Sequence, residues 1–298
     1  MADLDDVGQT ALGVAWARAV ESSRDDALFR DPLAEAIARI RPRSAEFGGR
    51  DVVHGAGSAE MRSMYHWIVA RTLFLDDVFT SAVADGITQF VILGSGLDGR
   101  GFRLDLGSRA KLFEVDRPSV TEVKEDLVAQ SGLDPTVERR VVACDLADDW
   151  LRALQDKGFR ADLPSAWLAE GLFVYLSDDM VKRVIEGTTA AAESGSRIGV
   201  TVRSRPTAPP AANDPFADVR ALWRSDADIA SMLDAAGWNC EVSTAGEVLA
   251  ARGRSSSRSS SEESGESGES AEPTGGEQSG TLLSGVRRQR GHGTIDRS

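Results

Sequence analysis

FVILGSGLDGRG, at residues 90–101, is the stretch of this 298-residue chain that decides its fold. Four apolar residues run directly into a glycine-rich turn, a pattern that predicts a buried parallel strand followed by a nucleotide-binding loop. Glycines suit such a loop because they accept positive φ angles and leave the backbone open to a ligand. We therefore expect the first strand of a ligand-binding sheet at residues 90–93.

The glycine loop by itself does not identify the nucleotide. Gly94, Gly96 and Gly99 fit the dinucleotide pattern G-x-G-x-x-G, and they fit the nucleoside loop of methyltransferases as well. The residues that follow the later strands are needed to distinguish a dinucleotide from the nucleoside of a methyltransferase cofactor.

Strand and helix patterns alternate after this loop. Further strands are expected at residues 111–115, 140–143, 166–169 and 197–202, and helices at 120–130, 146–157 and 178–194. This alternation predicts an α/β fold with a mostly parallel sheet that is covered on both faces. In such sheets, ligands bind beyond the carboxyl ends of the strands, where the strand order reverses.

The flanking regions differ from this core. Before the first strand we expect helices at 10–20, 32–40 and 59–84, with a glycine-rich loop at 47–58. After the fifth strand we expect a loop at 206–212, a helix at 225–237, whose start Asp226 or Asp228 would cap, and a strand at 238–243. We expect residues 1–253 to form a single domain. Its three parts are a helical part (1–85), a cofactor-binding core (86–205) and acceptor-side elements (206–253).

The C-terminal region contains a low-complexity segment. Residues 255–279 include ten Ser, six Glu and four Gly, with almost nothing to bury, so we expect residues 254–279 to form a disordered insertion. Residues 281–286 are apolar again, and we expect a closing strand within 280–288, followed by a tail at 289–298. The alternative is that this last apolar stretch belongs to a disordered tail.

Composition narrows the classes of partner. The formal net charge of −13 disfavours nucleic acid and anionic membranes, both of which attract clustered Lys and Arg. Cys144 and Cys240 are the only cysteines, and the three histidines are scattered, so no metal-ligand spacing is present. The acidic start MADLDD lacks the features of a secretory signal, and no stretch has the length of a membrane span. We expect a cytoplasmic protein that acts on a small molecule, with its oligomeric state open.

Acidic residues follow the second, third and fourth predicted strands. Glu114 and Asp116 close the second, where a carboxylate can accept hydrogen bonds from both ribose hydroxyls. Asp145 and Leu146 follow the third, where the side chain can accept the adenine amine while the next backbone N–H meets a ring nitrogen. Glu170 follows the fourth, where the donor and acceptor of a transferred group would meet.

These positions also have purely structural explanations. Asp116 can cap the helix that starts near Pro118, and Asp145 can cap the helix expected at 146–157. Glu170 can be a solvated acid at the end of a strand. Taken together at successive strand ends, however, the three positions favour a nucleoside site over chance.

The motifs at these positions resemble a known family. VILGSGLDGRGFRL at 91–104, FEVDRP at 113–118, CDL at 144–146 and AEGLFVYL at 169–176 are similar to the leucine carboxyl methyltransferase family. The resemblance is strongest to its actinobacterial branch of S-adenosylmethionine-dependent methyltransferases. It extends over about residues 7–253 and implies a class I methyltransferase fold, a Rossmann-like sheet with an N-terminal helical lid.

The resemblance also implies which residues bind S-adenosylmethionine. It assigns Arg71 to the methionine carboxylate, Glu170 to the methionine amino group and Gly94 to the methionine portion. It assigns Asp116 to the ribose, and the pair Asp145 and Leu146 to adenine. No metal ligand follows from it, and no catalytic residue can be named.

The chain departs from the family pattern in its loop. Gly99 stands where Thr or Ser is common, and Gly101 stands where Ala is common. These two extra glycines predict a more flexible loop that binds its cofactor less tightly.

The expected reaction is transfer of a sulfonium methyl group to an oxygen. A carboxylate acceptor is ionised at neutral pH and needs no general base, so positioning and exclusion of water would suffice. A hydroxyl acceptor remains an alternative and would need a base. Two other classes stay open at this point, an NAD(P)-dependent oxidoreductase and a non-catalytic cofactor-binding scaffold.

Overall fold

A computed structural model of the chain describes residues 6–42, 58–203, 214–254 and 280–289. Four of the segments considered above lie outside the described residues: the glycine-rich loop at 47–57, the loop at 206–212, the low-complexity segment at 255–279 and the tail from 290 onwards. Among the described helices, none combines the length and the hydropathy that crossing a bilayer requires.

Three helices precede the sheet: α1 (Asp6–Ser22), α2 (Pro32–Ile40) and α3 (Ala59–Ala84). The Asp31 carboxylate caps α2 by accepting the N–H of Ala34, and Pro32 occupies the first helical position, where its missing N–H has no intrahelical partner to lose. Ser58 caps α3 in the same way. The predicted ranges of α2 and α3 match the structure, and α1 is longer than expected at both ends.

The five central strands follow the predicted alternation. They are β1 (Gln89–Leu93), β2 (Lys111–Asp116), β3 (Glu138–Ala143), β4 (Ala166–Ala169) and β5 (Arg197–Val202). The helices between them are α4 (Pro118–Ser131), α5 (Trp150–Asp156) and α6 (Asp178–Ala191).

The C-terminal part adds five elements. They are α7 (Ala217–Ala221), α8 (Ile229–Ala235), β6 (Trp238–Thr244), α9 (Ala245–Ala251) and β7 (Thr281–Arg287). Asp228, one of the two expected caps, accepts the N–H of Ser231 at the start of α8. Sequence patterns did not predict α7 or α9. The apolar stretch at 281–286 forms β7, antiparallel to both β5 and β6.

One sheet organises the described residues, with strand order β3-β2-β1-β4-β5-β7-β6. β1 to β5 are parallel, and the chain moves outward from β1 to β3 before it returns to the other side of β1 with β4. The strand order therefore reverses between β1 and β4. A crevice is expected at this point beyond the carboxyl ends of the two strands.

Both faces of the sheet are covered by apolar layers. On one face Val91, Phe113 and Trp167 pack with residues of α5, α6 and α8. On the other face Phe90 and Ile92 pack with residues of α3. Alternate residues of each central strand thus enter opposite cores, as in a parallel sheet buried on both sides. The predicted α/β class with a mostly parallel sheet is confirmed.

The predicted helix at 146–157 is shorter in the structure. α5 begins at Trp150, where the Asp149 carboxylate accepts the N–H of Arg152. The preceding residues form a turn, in which Asp148 N–H donates to the Asp145 carbonyl over 3.0 Å. A helix cap at Asp145 was therefore the wrong interpretation, because the cap lies four residues later.

Candidate functional site

The strand register brings four of the predicted site residues to one edge of the sheet. Leu93 of β1 pairs with Ala169 of β4, so Gly94 and Glu170 follow neighbouring strands at the same level. Asp116 is the last residue of β2 and pairs with Ala143 of β3. Asp145 follows Ala143 by two residues and therefore lies at the same edge. The four positions thus surround the carboxyl ends of β1 to β4, on both sides of the point where the strand order reverses.

The glycine loop after β1 depends on conformations and contacts that other residues do not allow. Gly94 has a φ of 62° and Gly96 a φ of 44°, both in the left-handed region. A Cβ atom on Gly94 would also lie 2.8 Å from Leu172 Cδ1, in the segment that follows β4. The loop therefore passes close to the Glu170 segment.

The two extra glycines have a packing role that the sequence did not reveal. A Cβ on Gly99 would lie 2.2 Å from Asp31 Oδ1, and a Cβ on Gly101 would lie 3.0 Å from Leu112 Cδ2. Gly99 thus makes room for the carboxylate that caps α2. Both glycines are buried against neighbours, which argues against a loose loop at these two residues. Weaker binding of the cofactor stays a prediction.

Helix α1 also holds the loop from the side of the N-terminal helices. Arg18 Nη2 donates to the Leu97 carbonyl at 2.6 Å, and its Nε donates to Asp31 Oδ2 at 2.9 Å. Both charged side chains are buried. The Arg18–Asp31 ion pair thus joins α1 to the start of α2, and the hydrogen bond from Arg18 to Leu97 joins α1 to the glycine loop.

Asp116 receives hydrogen bonds from backbone groups at the site. Its Oδ2 accepts the N–H of Gly96 at 2.6 Å, and its Oδ1 accepts the N–H of Arg117 at 2.8 Å. Each carboxylate oxygen has a second lone pair, so both can still accept a ligand hydroxyl. Burial raises the pKa of the Asp116 carboxyl above its ordinary value, although the two N–H groups act in the opposite direction. Asp116 does not cap α4, whose first residues have no side-chain cap.

Glu114, the other acid of β2, has a different environment. Its Oε2 accepts hydrogen bonds from Lys124 Nζ at 2.6 Å and from Arg139 Nη2 at 2.7 Å. The side chain is 1% exposed. Glu114 is therefore part of the packing between β2, β3 and α4, and Asp116 is the acid of this strand that lies at the site.

Asp145 and Leu146 lie at the far side of the same edge. Asp145 Oδ1 accepts the N–H of Ala147 at 2.8 Å, which fixes the turn after β3. Leu146 is partly buried and packs against the core between the sheet and α5. The pair is thus held in a defined turn rather than in the first turn of a helix.

Glu170 is the centre of a buried charge cluster. Its Oε1 accepts from Arg71 Nε at 2.9 Å, and its Oε2 accepts from Arg100 Nη1 at 2.7 Å. Burial acts to raise the pKa of Glu170, but the positive charges of Arg100 and Arg71 outweigh it and hold the pKa below its ordinary value. Arg71 and Glu170, predicted from sequence positions 99 residues apart, are therefore in direct contact.

Arg100 is a site residue that the sequence analysis missed. Besides Glu170, its guanidinium binds Asp98, Asp76 Oδ1 at 2.8 Å and the Thr72 carbonyl at 3.2 Å. Its side chain is 2% exposed. The available signal was a basic residue inside the glycine loop, two residues after Asp98. Arg100 connects α3, the loop and Glu170.

The described residues contain no group of three or more His, Cys, Asp or Glu arranged to hold a metal ion. The residues described above bring carboxylates, guanidinium groups and backbone N–H groups to the site.

Comparisons with known proteins agree on one family. The family model described as leucine carboxyl methyltransferase matches residues 11–189. A Streptomyces avermitilis protein is 36% identical over 288 residues, which cover 95% of this chain and 96% of that protein. A Mycolicibacterium smegmatis protein is 43% identical over 195 residues, 64% of this chain and 65% of that protein, so this match spans a little under two thirds of the relative.

Both relatives carry the name "Putative S-adenosyl-L-methionine-dependent methyltransferase". Among solved structures, a Thermobifida fusca protein named "putative methyltransferase" superposes with a TM-score of 0.49 at 18% identity, covering 92% of this chain and 94% of that one.

Proposed function

Because the chain belongs to the leucine carboxyl methyltransferase family, we propose that it transfers the methyl group of S-adenosylmethionine to an oxygen of a small-molecule acceptor. The observation that carries this proposal is the convergence of Gly94, Asp116, Asp145 and Glu170 on the edge where the strand order reverses. The names of the relatives support the choice of cofactor.

The residues present fit S-adenosylmethionine. Asp116 offers carboxylate lone pairs of the kind that bind ribose hydroxyls. Arg71 and Glu170 form a cation–anion pair, which is the complement of the carboxylate and ammonium of an amino acid. In this proposal Gly94, directly after β1, lies along the methionine portion of the cofactor. In this proposal the Asp145 carboxylate and the Leu146 N–H bind adenine.

In the proposed reaction, the main task of the protein is to position the cofactor and the acceptor. When bound, S-adenosylmethionine supplies a methyl group on a positively charged sulfur, which a nucleophilic oxygen can attack. Glu170 and Arg71 orient the amino-acid end, and Arg100 holds Glu170 in place. Helices α1 and α2, fastened to the loop through Arg18, exclude water from it. A carboxylate acceptor would need no base, whereas a hydroxyl acceptor would need one, and no residue is assigned to that role.

Calorimetric titration tests the choice of ligand. We expect S-adenosylmethionine and S-adenosylhomocysteine to bind the full-length protein and NAD to give no heat. NAD binding in the absence of heat from either sulfur ligand would overturn the proposal in favour of an oxidoreductase.

A second experiment tests the oxygen acceptor. Extract of the source cells is incubated with the protein and methyl-labelled S-adenosylmethionine, and the products are then treated with alkali. A carboxyl methyl ester releases volatile labelled methanol, whereas a methyl ether retains the label. Label that is transferred only to nitrogen, carbon or sulfur would contradict the oxygen acceptor. Cofactor binding with no transfer to any molecule would favour a scaffold.

A further inference from the structure

The turn that follows β4, at residues 170–172, touches all three residues proposed for the methionine portion of the cofactor. Glu170 begins the turn, and its Oε1 accepts from Arg71 Nε at 2.9 Å. Leu172 passes so close to the glycine loop that a Cβ on Gly94 would lie 2.8 Å from Leu172 Cδ1. A shift of this turn would therefore displace the groups proposed to bind the amino-acid end.

Gly171, in the middle of the turn, sets the arrangement of the ion pair. Its φ of 62° lies in the left-handed region, which glycine adopts without steric cost. A Cβ at this position would lie 3.3 Å from Arg71 Nη1. The guanidinium of Arg71 thus lies against the backbone of Gly171, while its Nε pairs with the neighbouring Glu170. The conformation of this glycine therefore acts on both charged groups.

The hydroxyl of Thr201, on β5, holds the turn in place. It accepts the N–H of Gly171, with a distance of 2.8 Å between N and Oγ1. The backbone pairing of β4 with β5 ends at Ala169 and Val200. The Thr201 side chain, one residue further along β5, supplies an acceptor beyond this last pair. Thr201 is 2% exposed, so its hydroxyl belongs to the interior of the protein.

Thr201 is itself fixed by the sheet. Its backbone pairs with that of the buried Leu282 of β7. Its side chain shares a face of β5 with Gly199, where a Cβ would lie 2.7 Å from Leu75 Cδ2 of α3. Leu75 lies one helical turn after Arg71. The hydroxyl therefore reaches the turn from the side of α3, the helix that carries Arg71.

The residues proposed for the nucleoside have separate support. Asp116 accepts the N–H of Gly96, and Asp145 accepts the N–H of Ala147. Neither hydrogen bond involves β5 or the turn after β4. A change in the Thr201 hydroxyl should thus act on the amino-acid half of the site and leave the nucleoside half as it is.

We propose that Thr201 is a positioning residue, whose hydroxyl fixes the turn at Gly171 so that Glu170 and Arg71 face the amino-acid end of the cofactor. This inference rests on the proposed function, which it deepens by naming a residue that sets the affinity for one half of the cofactor through another residue. Thr201 acts through the Gly171 N–H.

Two ligands that share the same nucleoside test this role. S-adenosylhomocysteine carries the amino-acid portion, whereas methylthioadenosine has a methyl group in its place. Both are titrated by calorimetry into the full-length protein and into Thr201→Val, which keeps nearly the same shape but offers no acceptor. We expect the affinity for S-adenosylhomocysteine to fall about tenfold, because the Gly171 N–H loses its partner. The affinity for methylthioadenosine should stay the same.

Conservative and control variants separate positioning from packing. Thr201→Ser keeps the hydroxyl, so it should bind S-adenosylhomocysteine nearly as the unchanged protein does. Thr188→Val is the matched control, because this threonine is also 2% exposed and lies on α6, which carries no residue of the proposed site. It should change neither affinity. A purely structural role of Thr201 would not distinguish between the two ligands.

Two results would overturn the inference: a Thr201→Val protein that binds S-adenosylhomocysteine as before, or one that loses affinity for both ligands equally. If Thr201→Val does not fold, Thr201→Cys replaces it, since a thiol is only a weak acceptor, and the same selective loss is expected. Either result, in a protein that binds S-adenosylhomocysteine before substitution, would leave the proposed function standing. An unchanged protein that binds neither ligand would overturn both.

Discussion

Glu114 and Glu170 both have buried side chains that are held by two cationic side chains, and of these two glutamates only Glu170 lies at the proposed site. Glu114, within β2, directs a single oxygen at Lys124 and Arg139. Glu170, beyond the end of β4, uses one oxygen for Arg71 and the other for Arg100. Burial and charge pairing are similar in the two clusters.

The difference lies in what surrounds each pair. Lys124 and Arg139 come from α4 and β3, and their side chains are 2% and 6% exposed, so the Glu114 cluster is closed on itself. The Arg71 side chain is 11% exposed and lies at the open edge of the sheet. In the proposed function, a ligand ammonium would therefore replace Arg71 at Glu170 without removing Arg100. We propose that position at a strand end, rather than burial, distinguishes an exchangeable ion pair from a permanent one.

The sharpest test of this comparison is Glu114→Gln. It leaves Lys124 buried without its carboxylate, and breaking one partner of a buried pair typically costs about 3–5 kcal/mol of the free energy of unfolding. Chemical denaturation measures this loss, and the exposed Glu122→Gln on α4 is the control. A loss below about 1 kcal/mol would show that the Glu114 cluster is not a structural one.

Asp116→Asn tests the site without disturbing the Glu114 cluster. Asn keeps an oxygen for the Gly96 N–H but loses the charge and one acceptor, so we expect the affinity for S-adenosylhomocysteine to fall about 10- to 100-fold. Calorimetry measures the change, with the exposed Asp126→Asn of α4 as control. An unchanged affinity would remove Asp116 from the site.

The sequence predicted the parts of this fold that depend on local periodicity. Apolar runs such as residues 90–93 and 166–169 gave strands within a residue of their observed limits, because a strand buried on both faces must be apolar throughout. The carboxyl ends of β2 and β4 then brought Asp116 and Glu170 to one edge. Only the family resemblance assigned Arg71 to the same site as Glu170, since no local pattern connects α3 to β4, and their direct contact was not predicted.

The remainder of the site depends on contacts between distant segments. Arg100 looks like an ordinary loop arginine until α3 brings Asp76 to it, and Gly99 looks flexible until α2 brings Asp31 against it. The hydrophobic periodicity of a sequence reports only local structure, so such contacts between distant segments become visible only in the three-dimensional structure.

Glu170→Gln compares the second glutamate with the first. Arg100 keeps Asp76 and Asp98 as partners, so the loss of stability should be smaller than for Glu114→Gln. The affinity for S-adenosylhomocysteine should fall about tenfold, because a charged partner of the ligand ammonium is removed. Denaturation and calorimetry on the same variant measure both effects. A loss of stability equal to that of Glu114→Gln, with unchanged affinity, would make the two clusters equivalent.

The smallest expected effect is a dependence of ligand affinity on pH. The pKa of Asp116 is raised above its ordinary 3.8, whereas that of Glu170 is held below its ordinary 4.5. As the pH falls, Asp116 therefore gains its proton at a higher pH than an ordinary aspartic acid does. The Glu170 ion pairs persist to a lower pH than an ordinary glutamate would allow, because a carboxyl with a lowered pKa keeps its stabilising effect until the pH falls through that pKa.

We accordingly expect the affinity for S-adenosylhomocysteine to decline, between about pH 7 and pH 4, while the protein is still folded. Calorimetry across this range, with circular dichroism at each pH, measures both quantities. Asp116→Asn should lose this dependence, since its side chain does not titrate. A decline of affinity that persists in Asp116→Asn would assign the pH dependence to a group other than Asp116, with the Glu170 cluster as the first candidate. A decline that coincides with unfolding would show that the loss of the fold, and not the titration of Asp116, causes it.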